Sequence, residues 1–196
     1  MKASFVLTCI FFLLPAYLMS QEKFEREYRI DYQNVPHKAA LFARKCFDDS
    51  RIKWYAEESQ QGKTIEAKTR GRLPRYSIEF DVDGTLLDVE KTVKFNDLEL
   101  EVRNNINLSL EEKFRSYKVK KVQIQWIGSN ETLIELIKTG RSESPYNQNY
   151  ELIVEAKILG EKYPKGTHLY EILLGSDGRI QKVSRIIPVG NDNLDF

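Results

Sequence analysis

Tyr76-Ser77-Ile78-Glu79-Phe80-Asp81-Val82-Asp83-Gly84 decides how the rest of this chain is read, because it is written twice. Its second form is Tyr170-Glu171-Ile172-Leu173-Leu174-Gly175-Ser176-Asp177-Gly178. In each, an alternating strand that begins with tyrosine runs into Asp-Gly, and a second apolar-spaced strand follows. Leu86, Val89 and Val93 come after the first glycine; Ile180, Val183 and Ile187 stand at the same offsets after the second. Asp-Gly between such runs signals a hairpin, since glycine takes the positive φ that a tight turn needs.

Outward from these hairpins the pattern continues. Upstream, Ile52, Trp54 and Ala56 alternate with Lys53, Tyr55 and Glu57, and Ile65 and Ala67 with Glu66 and Lys68. In the strand after Asp83-Gly84, Leu87, Val89 and Val93 are expected to face away from Asp88, Glu90 and Thr92. Before them, Val35–Phe47 carries Ala39, Phe42, Ala43 and Cys46 at helical spacing, with Pro36 tolerated in the first turn. The charged lead-in from Gln21 to about Asn34 holds a short extended strand through Tyr28, Ile30 and Tyr32. After the first hairpin the order restarts. Asn96-Asp97 caps a helix bearing Leu98, Val102, Ile106, Leu110 and Phe114, and Val119, Val122, Ile124 and Trp126 form a strand. Asn130 caps an inserted short helix through Leu133, Leu136 and Ile137 that ends at Gly140. A polar loop, Ser142–Asn149, leads to a strand through Leu152, Val154, Ala156 and Ile158, and the second hairpin follows. Strict alternation means one buried face per sheet. The expected fold is α+β: two tandem α-β-β-β-β units, 24–94 and 95–190, with antiparallel sheets each packed on a helix.

The chain has 196 residues. Lys2 followed by an apolar run from Ala3 to Met19 and then Ser20 reads as a secretory signal peptide over 1–20. Cleavage there leaves 196 − 20 = 176 residues, with 29 basic (30 less Lys2) and 29 acidic side chains. That balance argues against nucleic acid as a partner, which needs a basic surplus. No later segment is long and apolar enough to span a bilayer. Cys46 then stands alone, so no internal disulfide forms, and it reads as a structural thiol on the helix's apolar side. A periplasmic or secreted location is expected.

Two chemistries are weighed on the acids. Phe80-Asp81-Val82-Asp83-Gly84-Thr85-Leu86 resembles the first motif of the haloacid-dehalogenase-like hydrolases. In them the first aspartate is the nucleophile, the second an acid/base, and Mg²⁺ sits between. That resemblance implies a magnesium-dependent phosphohydrolase using Asp81 and Asp83, and it requires the motif at the end of a central parallel strand buried on both faces. Ser77, Glu79 and Asp81 form a polar face instead, and the next segment alternates as a strand. Asp81, Asp83 and Asp88 also lack calcium-loop spacing. His37 and His168 have no neighbours at metal-ligand spacing, and Trp54 and Trp126 fall on apolar faces. The expected catalytic, cofactor and metal sets are therefore empty.

One surface stands out. Opposite the apolar face of the second unit, where polar residues belong, come Ile153, Leu169, Leu173 and Ile186. Exposed together they form an apolar patch of the kind that marks contact sites; covered, they pack against the other unit, the inserted helix or the tail.

A helix followed by a strand-rich sheet with Tyr-x-(Ile/Val)-x-Phe-x-x-Asp-Gly-x-(Leu/Ile), in tandem in an exported chain, resembles the PepSY-like family, also described as beta-lactamase-inhibitor-protein-like. The resemblance rests on Tyr76–Val93 with Asn96–Val122, and on Tyr170–Ile187. It implies a small non-enzymatic module that binds or inhibits an envelope protein or peptide, such as a peptidase, without cofactor.

Overall fold

The computed structural model describes residues 21–48, 51–60, 62–71, 74–159 and 166–188. The signal segment and the tail after Pro188 lie outside them. The order is β1 (Gln21–Arg29), α1 (His37–Cys46), β2 (Ile52–Ser59), β3 (Gly62–Thr69), β4 (Arg75–Phe80), β5 (Leu86–Thr92), α2 (Leu100–Lys113), β6 (Phe114–Gly128), α3 (Asn130–Thr139), β7 (Tyr146–Ile158), β8 (His168–Leu174) and β9 (Ile180–Pro188). Among the described residues, nine strands pair in sequence order and close into one barrel. Every neighbouring pair is antiparallel except β1 with β9, which is parallel.

This corrects the expected architecture. Two tandem α-β-β-β-β units with separate antiparallel sheets do not form. β5 pairs with β6 through Val89–Thr92 and Gln123–Trp126, which joins the halves into one sheet. β1, drawn from the charged lead-in, then bridges β2 and β9. Alternation says which face of a strand is apolar, but not which strands become neighbours, so closure was not legible in the pattern.

The apolar face of the barrel points outward and the helices cover it. Under α1 and α3 lie Trp54, Ala56, Ile65, Ala67, Ile78, Phe80, Val89 and Trp126, with Phe42 meeting Phe80 edge-on at 5.8 Å. Under α2 lie Val122, Leu152, Val154, Tyr170, Ile172, Leu174 and Val183. Each fully buried Leu, Ile or Phe in these layers contributes about 1.5–3 kcal/mol. Among the described residues no helix is long and apolar enough to cross a membrane.

The two Asp-Gly turns are built alike. Gly84 has φ +79° and Gly178 φ +80°. The amide of Gly84 donates to the Asp81 carbonyl at 3.0 Å, and that of Gly178 to the Gly175 carbonyl at 2.9 Å. Gly84 sits on the first turn of α1, and Gly178 on the first two turns of α2. A Cβ on Gly84 would lie 2.8 Å from Pro36 Cβ, and one on Gly178 2.8 Å from the Val102 carbonyl oxygen. Both hairpins also carry a register shift near the same offset from the glycine, leaving Leu87 and Gln181 unpaired. The shift corrects the expected facing of β5. Leu86 joins Val89 under α1, and Leu87, expected on that apolar face, is 41% exposed.

Local differences follow the same lines. α2 starts at Leu100, after a 3-10 turn at Phe95–Asp97, so Glu99 rather than Asn96 or Asp97 takes the N-cap position. α3 is capped by Ser129 rather than the expected Asn130; the Ser129 Oγ accepts from the Thr132 amide at 3.2 Å, and the helix ends on Gly140 at φ +78°. β7 begins inside the expected polar loop, at Tyr146.

Candidate functional site

The face opposite the helices is the barrel interior, and it is strongly polar. By register it places Lys23 and Glu27 (β1), Tyr55 and Glu57 (β2), Thr64, Glu66 and Lys68 (β3), and Ser77 and Glu79 (β4) side by side. It continues through Asp88 and Glu90 (β5), Lys121, Gln123 and Gln125 (β6), Asn149, Glu151 and Ile153 (β7), Glu171 and Leu173 (β8), and Ser184 and Ile186 (β9). Carboxylates outnumber ammonium groups here, and closure holds them near one another across the lumen.

Burial is the main cause of their altered acidity. It pushes Asp88 up to about 8, with Glu79 and Glu151 adding repulsion and the Gln125 amide opposing it. Glu90 is pushed up to about 8 by burial and by Asp88. Glu151 is raised well above the ordinary range by burial, then by Glu90 and Glu171. Burial also raises Glu57 and Glu79. On Lys23 burial is the largest influence and acts downward, but Glu171, Glu151 and Glu57 together outweigh it and the net direction is up. Lys68 behaves likewise beside Glu66 and Glu27.

The lumen is cross-linked by hydrogen bonds. Gln123, 1% exposed, donates to Glu90 at 2.5 Å. Lys23 pairs with Glu171 at 2.5 Å; Lys68 pairs with Glu27, and with Glu66 at 3.0 Å. Among the described residues, no three His, Cys, Asp or Glu side chains converge tightly enough to hold a metal ion.

The four residues singled out as a contact patch do come together, but inside. Ile153 and Ile186 are buried, and Leu169 and Leu173 are partly buried. Ile153 stands opposite Glu171, Leu173 opposite Glu151 and Lys182, Leu169 opposite Glu155, and Ile186 opposite Lys23. They form the apolar wall of an otherwise acidic lumen. An open sheet would expose this patch; closure of the barrel covers it.

Asp81 and Asp83 lie in the β4–β5 hairpin. Asp81 Oδ1 accepts from the amides of Asp83 at 2.9 Å and Thr85 at 2.7 Å. Those donors, the Thr85 amide first, hold its carboxyl below the usual range. Both neighbours of β4 run antiparallel to it, whereas the hydrolase arrangement needs parallel ones. The second hairpin repeats the turn with Gly175 in place of Asp81; a Cβ there would meet Gln181 Nε2 at 2.9 Å. Cys46 is partly buried, and burial pushes its thiol up to about 11, away from the reactive thiolate.

Pattern reading missed a recess at one end of the barrel. β7 pairs with β6 from Tyr146 onward, but β8 reaches β7 only from Tyr150. Tyr146–Asn149 thus keep one strand edge outside the ladder of the described residues. Beside that edge lies a polar recess of about 480 Å³, lined by Ile127, Tyr146, Asn147, Gln148, Asn149, Ser176 and Gln181. Gln148 is fixed by accepting from Trp126 Nε1 at 3.0 Å and donating to the Tyr150 hydroxyl at 2.9 Å. Asn149 donates to Gln125 at 3.1 Å, and Gln125 donates to Asp88 at 2.9 Å, so recess and lumen share one hydrogen-bonded chain.

No protein-family model, curated protein or solved structure matches this chain. The functional reading therefore rests on the geometry and on the sequence resemblance alone. The clustering of Asn147, Gln148 and Asn149 was a visible signal, but on its own it reads as a loop.

Proposed function

We propose that this chain is an exported, non-enzymatic binding module of PepSY-like type that captures an extended segment of an envelope protein or peptide at the recess beside β7. The observation that carries the reading is the open strand edge of Tyr146–Asn149 flanked by amide side chains. An extended peptide adds to such an edge through main-chain hydrogen bonds, and side-chain amides beside it supply selectivity. The PepSY-like resemblance supports the same class of function by analogy.

The test is a tiled array of envelope-protein peptides probed with the mature chain and with Ser176→Trp, which fills the recess from an exposed turn. Binding to a subset of peptides, weakened about ten-fold or more in the variant, is the expected result. Equal binding by both proteins would remove the recess from the reading. A parallel assay on a generic phosphate ester covers the magnesium-hydrolase alternative. Magnesium-dependent turnover that disappears in Asp81→Asn would replace the binding reading altogether.

A further inference from the structure

β1 is held in the barrel unlike any other strand. Each of β2–β9 sends at least one apolar side chain into a buried layer: Trp54, Ile65, Ile78, Val89, Val122, Leu152, Ile172 and Val183, in order. β1 places no fully buried side chain there among its described ones; Phe24 is 38% exposed, and Tyr28 rests on the layer under α1 only partly buried. Its ladders are also split. Gln21–Glu25 pair with β9, Glu25–Arg29 pair with β2, and the two stretches overlap only at Glu25. Each half of the strand is therefore hydrogen-bonded on one side.

Side-chain contacts complete the attachment, and apart from the packing of Tyr28 they are polar. Lys23 reaches Glu171 on β8 at 2.5 Å, and Glu27 pairs with Lys68 on β3. The Tyr28 hydroxyl donates to Glu58 at 2.8 Å and accepts from Lys63 at 2.9 Å. The exposed contacts of Tyr28 with Glu58 and Lys63 exchange with water at little net cost, whereas a buried apolar side chain does not. The slot that the ion pairs define reads a charge pattern: a cation facing Glu171 and, four residues later, an anion facing Lys68.

We infer that β1 is a displaceable strap, and that the slot between β2 and β9 accepts the same strand from a second copy of this chain. Residues 21–29 of another copy carry the required Lys23 and Glu27 at the required spacing. Release of β1 uncovers Ile186, which faces Lys23, and with it the apolar wall formed by Ile153, Leu169 and Leu173. That exposure favours refilling of the slot, so an opened molecule pairs with another opened molecule by strand exchange. This goes beyond the recess at β7 and does not depend on it.

The test uses two charge-reversed full-length mature chains, Lys23→Glu and Glu171→Lys. Within either variant β1 faces a like charge. When they are mixed, exchange seats the substituted strap of the first variant against the substituted β8 of the second. The unaltered Lys23 of the second then meets the unaltered Glu171 of the first, so a heterodimer forms with opposite charges restored at both contacts. Dimer in the mixture, and at least about five-fold less in either variant alone, is the expected outcome by sedimentation velocity. A mixture with no more dimer than its separate components overturns the inference. Hydrogen exchange on the unaltered chain keeps it testable if a variant misfolds. Amides of Gln21–Arg29 should exchange about ten-fold or more faster than those at the centres of β2 and β3. Equal rates across β1, β2 and β3 would show that β1 leaves only on global unfolding, and the strap is then wrong.

Discussion

Gly84 and Gly178 each combine two constraints that do not usually coincide. Their positive φ costs an L-residue about 1–2 kcal/mol, and the helix beneath leaves no room for a Cβ. Gly140 has the same φ with open space around it, so it isolates the first constraint. Gly140→Ala should then lower stability by about 1 kcal/mol, and Gly84→Ala and Gly178→Ala by at least twice that. Urea midpoints read against unchanged m-values check the ranking. Equal losses at all three sites would mean that the turns do not rest on the helices. The same scale shows where pattern reading went astray. Leu87 has the period of a residue on the helix-covered apolar face, yet the register shift expels it and seats Leu86 instead. A bulge moves one residue across the sheet at no visible change in composition, so alternation cannot locate it.

α3 ties the first half of the molecule to the second. Its Leu133 and Leu136 sit in the layer under α1, while its cap, Ser129, follows directly on β6. Ser129→Ala removes the acceptor for the Thr132 amide and should cost about 1 kcal/mol; Leu136→Ala opens a cavity and should cost about 2–5 kcal/mol. Thermal unfolding followed by circular dichroism measures both, and a Leu136 loss no larger than the cap loss would contradict the packing described. The helices were visible from apolar spacing, although their starts shifted by a few residues. β1 was the least legible element. Its residues are mostly charged, and only the supply of partners on β2 and β9 makes a strand of them.

The whole barrel encloses an acidic interior, and that sets its response to pH. In the unfolded chain Asp88 and Glu90 titrate near 3.8 and 4.5; in the barrel they rise to about 8. Between those values the folded state binds more protons than the unfolded state, so stability falls as pH rises. The contribution is fully present below about pH 4 and is lost as pH climbs through 8. Lys23 and Lys68 shift upward from 10.5, so their contribution persists across this window and is lost only in more alkaline solution. Urea midpoints should therefore decline from mildly acidic toward mildly alkaline pH. Asp88→Asn, which keeps an acceptor for Gln125, should raise the midpoint at about pH 8 and leave it nearly unchanged at about pH 4. A profile that rises between about pH 5 and 8 would exclude a protonated lumen.

The chain's own residue order determined the hairpins, the helices and, away from the bulge at Leu87 and the charged β1, which side of a strand is apolar. These depend on neighbours within a few positions: Asp-Gly for a reversal, alternation for a pleated face, Ala39, Phe42 and Ala43 for one side of a helix. The tertiary structure alone decided that β5 meets β6, that β1 closes the sheet, and that Ile153, Leu169, Leu173 and Ile186 turn inward beside Glu151 and Glu171. Those outcomes rest on contacts between segments far apart in the chain, such as Lys23 with Glu171. A polar face written into the sequence reads as a solvated one, because local pattern carries no information on whether the sheet later curls around it.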